Sequence, residues 1–118
     1  MNLPWATRLC GVDTRHFLTK MWILIRDTVP AGFAVLAAAH ASLACYLKFR
    51  DTPEVAAWLG GPFYKAVCRA YDTEFEKAKE FDGHVVLTES ALDGQEVALV
   101  FKPREEWPKP FKFYRLYK

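Results

Sequence analysis

Between Asp27 and Lys48 the chain carries no charged residue. The stretch "TVPAGFAVLAAAHASLACYL" opens on a Pro-Ala-Gly turn, then runs through small and apolar residues with one histidine, His40. A helix apolar on every side either lies buried or spans a membrane. Spanning takes roughly 20 apolar residues. Here Asp27 and Pro30 on one side, and Lys48, Arg50 and Asp51 on the other, close the window too early. The expectation is a core helix over 31–49 that packs on a sheet through small side chains, with no membrane partner. His40 then reads as a core residue hydrogen-bonded to backbone.

The flanks supply the sheet. "MWILIR" at 21–26 is apolar on both faces, which predicts a central strand with helices on either side. Thr52 as N-cap, Pro53 at the first helical position and Gly60-Gly61 as the stop delimit a short second helix. "FYKAVCRAY" at 63–71 alternates as a strand, with Tyr64, Ala66, Cys68 and Ala70 on its apolar face. A third helix is expected over 72–81, with Asp72 or Thr73 as its cap; Thr73 and Glu76 have capping-box spacing. Strands follow at 84–89 and 96–103, joined by too few residues for a crossover and so antiparallel if they pair. Pro103, Pro108 and Pro110 break the tail, leaving "FKFYRLY" as an extended end. The order β-α-α-β-α-β-β predicts an α/β fold, a three-layer α/β/α sandwich on a four-stranded mixed sheet.

One domain fits 118 residues, placed over 21–118. Residues 1–20 carry Arg8, Arg15 and Lys20 against Asp13, a faint likeness to a mitochondrial presequence; a non-core extension is the plainer reading. Cys10, Cys45 and Cys68 form no close pair, so a reducing, cytoplasmic setting is expected. None of His16, His40 and His84 has a second ligand at metal spacing, and no metal or other cofactor is expected. A net charge of +2 does not by itself argue for nucleic acid. From Lys102 onward six basic residues stand against Glu105 and Glu106, which reads as solvated charge before it reads as an RNA-binding rim. Trp5, Trp107, Phe111, Phe113 and Tyr117 are more aromatic surface than such a domain readily buries, and they predict a homodimer.

In this order and spacing the chain resembles the type 2 peptidyl-tRNA hydrolases over residues 21 to about 118. "ILIRD" at 23–27 resembles the family's first strand, Gly32 its loop glycine, and "LAAAHASL" at 36–43 its helix. Trp58 to Lys65 followed by "AVCR" resembles the family's Trp-to-Lys spacing and second strand. "VVLTES" at 85–90 and "LVFKP" at 99–103 resemble the third and fourth strands. The departures are specific. The family's loop carries lysines around the glycine as "GKGK", where this chain has "AGFAVLA" in a stretch about two residues shorter. Its Asp-Ala-Gly is replaced by Glu89-Ser90-Ala91. The resemblance therefore implies the fold but no catalytic lysine.

Cleaving an ester between peptide and tRNA needs an activated nucleophile, donors for the oxyanion and cations for phosphates. The crevice outside the carboxyl ends of strands is where open α/β sheets bind ligands. Catalytic candidates there are Glu89, Thr88, Ser90 and Asp27, and substrate-binding candidates are Arg26, Thr28, Gly32, His40 and Lys65. Without the loop lysines, the expectation is a binding and dimerising domain on this fold. The alternative is a hydrolase of peptidyl-tRNA or a similar aminoacyl ester, with tRNA or peptidyl-tRNA as partner.

Overall fold

A computed structural model describes residues 19–118. Along the chain lie β1 (Lys20–Arg26), α1 (Ala31–Phe49), α2 (Pro53–Leu59), β2 (Lys65–Ala70), α3 (Asp72–Ala78), β3 (His84–Glu89), β4 (Gln95–Arg104) and β5 (Arg115–Leu116). Single 3-10 turns at Ser90–Leu92 and Lys109–Phe113 precede the last two strands. The sheet has the order β3-β4-β1-β2-β5. Its β1–β2 pair is parallel, and β1–β4, β3–β4 and β2–β5 are antiparallel.

The sheet is mixed, as expected, but five-stranded rather than four-stranded. The difference comes from the tail. The 3-10 turn after Pro108 returns the chain along the free edge of β2, where Leu116 faces Cys68 and the Tyr117 N–H donates to the Val67 carbonyl at 2.8 Å. So brief an edge strand leaves little unpaired backbone for other chains to template on.

Both faces of the sheet are covered, because β1 is apolar on both. Met21, Ile23 and Ile25 pack with Ala34, Ala37, Ala41 and Cys45 of α1 and Trp58 of α2. On the other face Leu24, Cys68, Ala70, Leu99 and Phe101 pack with Phe75 and Ala78 of α3 and with Phe111. Thr52 caps α2 as its type predicts, its hydroxyl accepting from the Val55 N–H at 3.4 Å. The third helix is capped one residue before Asp72 and two before Thr73, the expected caps. Tyr71 takes the N-cap position, and Glu74 rather than Glu76 reaches back to its N–H at 2.8 Å.

Two expectations about burial fail. First, α1 is not a core helix. It buries the stripe Ala34, Ala37, Ala41 and Cys45, while Val35, Leu36, Leu43 and Leu47 face outward. Small side chains bring the helix close to the sheet along one line, and the larger ones cannot fit between helix and strand. His40 lies on the exposed side, not in the core. By length and apolarity alone α1 could cross a membrane; in this fold its alanine stripe is packed on the sheet. Second, the aromatic tail is not spare surface. Phe111 is fully buried, and Trp22, Trp107 and Tyr114 pack around it with ring centroids 4.8–5.5 Å away. Phe113 is exposed, and Trp5 and Cys10 lie outside the described residues.

Candidate functional site

Because β1, β2 and β3 run the same way and β4 runs against them, the carboxyl ends of three strands share one edge with the start of β4. Arg26, Asp27 and Thr28 end β1 there, and Thr88, Glu89 and Ser90 end β3. Gly32, in the exposed first turn of α1, follows β1 on the same side. The shared edge is as expected; the meeting of the two groups is not. β4 lies between them, which sets the two strand ends about 10 Å apart at ordinary strand spacing.

Each group is engaged locally. The Arg26 guanidinium donates to Asp72 Oδ1 from Nε at 3.2 Å and from Nη2 at 3.0 Å, and Nη1 reaches the Glu96 carbonyl at 3.4 Å. Its carbon also sits 5.2 Å from the centre of the Phe75 ring. Arg26 thus ties β1 to α3 and to β4. Beside it Lys79 pairs with Glu96 and with Glu76, and the hydrogen bond it donates to the Glu96 carboxylate holds its ammonium above the ordinary lysine range. Glu89 turns back to accept from the Ala91 N–H at 3.0 Å, capping its own 3-10 turn. Thr88 and Ser90 are exposed. Among the described residues no hydrogen bond joins Glu89 to Thr88, Ser90 or Arg26.

Two other candidates stand apart. Lys65 opens β2 at the opposite edge of the sheet, its ammonium 3.3 Å from the Phe63 carbonyl and 5.2 Å from the Trp58 ring centre. His40 projects from the outer face of α1. No described group of three His, Cys, Asp or Glu residues is placed to hold a metal ion.

Asp27 faces the other way along the edge, toward β2 and β5. Its Oδ1 lies 3.7 Å from Arg69 and 3.8 Å from Arg115. The Arg69 guanidinium stacks on Tyr117, 4.6 Å from the ring centre, and that of Arg115 on Tyr71 at 3.9 Å. Sequence reasoning missed Arg69, Asp72, Tyr71 and Glu96 as members of this edge. A signal was available for Arg69: strand alternation puts it on the face opposite Cys68 and Ala70, next to the carboxyl end of β2.

A second surface was not anticipated. Ala39, Ser42, Leu43 and Tyr46 of α1 form a shallow groove of about 380 Å³ with Trp58, Leu59, Phe63 and Lys65. Phe63 holds a left-handed backbone, φ 58°, packed on Trp58 at 5.6 Å and still 49% exposed. A bulky residue at positive φ costs on the order of 1–3 kcal/mol, and such strain concentrates where function needs it.

No protein-family model matches the chain, and no curated protein matches it.

Proposed function

We propose that the chain is a binding domain on a type 2 peptidyl-tRNA hydrolase-like three-layer sandwich, self-associating through the outer face of α1, and not a hydrolase. The exposed apolar ridge carries this reading. Val35, Ala39, Leu43 and Leu47 recur every fourth residue, the spacing that packs helix against helix in the commonest crossing geometry. Leu36, Leu59 and Phe63 extend the ridge sideways, and with Val35, Leu43 and Leu47 they are 41–69% exposed. Six such side chains present on the order of 600 Å², at the top of the range for a monomer and close to the ~800 Å² each partner buries in a standard interface.

A second copy suits this face. The ridge itself bears no charge, so identical surfaces approach without like-charge repulsion. The neighbouring Lys48 ammonium is turned aside to the His84 carbonyl at 3.3 Å. Ala39 on the ridge lets two helices come close, and a two-fold axis at it sets Val35 of one copy against Leu43 of the other. The hydrolase alternative gains less support, since Arg26 is committed to Asp72 and Glu89 to its own turn.

Light scattering on wild type at about 100 μM is expected to give the dimer mass, and Leu43→Asp the monomer mass with unchanged circular dichroism. A wild-type monomer at that concentration, or a dimer indifferent to Leu43→Asp, overturns the reading. So does a monomer that floats with liposomes, which would assign the face to a membrane. On peptidyl-tRNA no turnover is expected; turnover abolished by Glu89→Ala or Arg26→Ala would establish the hydrolase instead.

A further inference from the structure

The geometry points to a phosphoryl-binding cleft between β2 and β5, built by Arg69, Arg115 and Lys118 over Asp27. The cleft has a volume of about 450 Å³ and is lined by Arg69, Arg115, Leu116 and Lys118. It lies at the opposite end of the sheet order from β3 and is independent of the α1 face.

Hydrogen-bond accounting carries the inference. A guanidinium has five N–H donors in a fixed fork. Two of them converge here on one carboxylate oxygen, at 3.7 and 3.8 Å, too far for a hydrogen bond to either. Among the described residues neither guanidinium donates any hydrogen bond, and the Arg69 Nε, ion-paired with Asp27, is buried without a hydrogen-bond partner. Leaving such a donor unmet is costly, and more so for a charged group. The side chains are nonetheless held in place, because Tyr117 and Tyr71 stack beneath them. Stacking fixes the plane of each fork while leaving its edge free to donate. Asp27 offsets one of the two guanidinium charges and Lys118 adds another.

Fixed forks with unspent donors recognise tetrahedral oxyanions, since paired N–H groups match two oxygens of a phosphoryl group. A carboxylate ligand offers only two oxygens, one fork's worth. A phosphoryl group can be held by both forks at once. The volume admits a phosphorylated small molecule, and a nucleic-acid phosphodiester offers the same chemistry from a different source.

Thermal shift and calorimetry with pyrophosphate at low salt test the proposal. Wild type is expected to bind and to melt at a higher temperature as pyrophosphate rises. Arg69→Gln and Arg115→Gln should each weaken binding about 10-fold or more, the scale of one charge-assisted contact. Arg115→Lys keeps the charge and loses the fork, so it should weaken binding nearly as much. Arg115 lies at an exposed edge, so its variants keep the test meaningful if Arg69→Gln fails to fold. In a parallel arm, a single-stranded RNA 10-mer that binds tighter than pyrophosphate and is lost in Arg115→Gln assigns the site to a phosphodiester chain. Pyrophosphate tighter than RNA assigns it to a small phosphorylated ligand. No binding of either by about 10 mM, or binding indifferent to Arg115→Gln and Arg115→Lys, overturns the proposal.

Discussion

The two faces of the sheet are packed by opposite means. On one, α1 lies against β1 and β4 through alanines and a cysteine, with every large aliphatic side chain of its ridge turned outward. On the other, a seven-residue helix and a 3-10 turn cover the sheet with Phe75, Phe101 and Phe111 fully buried among Trp22 and Trp107. The most continuously apolar stretch of the chain therefore contributes little bulk to the core, and the charged tail contributes one of its largest pieces. Apolarity in the sequence says how much surface water disfavours. It does not say whether the surface is covered by this chain or by another molecule.

The comparison breaks most visibly at Phe111. Its ring meets Trp22, Phe81, Phe101, Trp107 and Tyr114 at centroid distances of 4.8–5.5 Å. Truncation to alanine opens a cavity that its rigid aromatic neighbours cannot close. Phe111→Ala should cost about 3–5 kcal/mol in urea unfolding. A loss below about 1 kcal/mol would mean that the tail only leans on the sheet.

How much of this was legible follows from the same contrast. Local rules found most elements. Thr52-Pro53 placed the start of α2, the two-sided run at 21–26 placed β1, and the short turn before Gln95 made β3 and β4 antiparallel. These depend on neighbours in sequence. What escaped depends on neighbours in space. The tail carries the proline and charge signals of a loop, yet its aromatics fill a space that α3 is too short to cover. The candidate site was half legible for the same reason. Strand ends gave Arg26, Asp27 and Glu89 a common edge, but only the strand order reveals that β4 separates them and that β5 brings Arg115 to Asp27.

Each face buries one cysteine fully, Cys45 and Cys68, and the pair makes the exclusion of water measurable. Burial pushes the Cys45 thiol, on the α1 side, up to about 12 and the Cys68 thiol, on the aromatic side, up to about 11. An unfolded thiol ionises near pH 8.5–9. Between that pH and the folded values the native state binds more protons than the unfolded one. Stability contributed below the unfolded pKa is therefore lost as pH rises, at about 1.4 kcal/mol per pH unit per thiol. Going from pH 8 to pH 10 should cost about 3–4 kcal/mol for the pair. Cys45→Ala and Cys68→Ala should each flatten part of that slope. If only one does, only one face is dry.

The smallest effect discriminates best between the two sides of α1 itself. Ala41 is fully buried against the sheet, and Leu43, two residues on, is 58% exposed. Hydrophobicity alone ranks the leucine as the more important residue. Packing reverses the order. Ala41→Leu inserts three carbons where helix and strand already touch, and should cost about 1–3 kcal/mol through displaced backbone or strained rotamers. Leu43→Ala removes the same three carbons from the outer ridge, and at low micromolar protein it should change stability by about 0.5 kcal/mol or less. Self-association adds a concentration dependence, because a partner that binds only the folded chain stabilises it by mass action. Wild type should thus melt higher as protein concentration rises, while Leu43→Ala should show a weaker rise or none. A Leu43→Ala penalty that is large and independent of concentration would place that side chain in the core of one chain, and the contrast between the two faces of α1 would collapse.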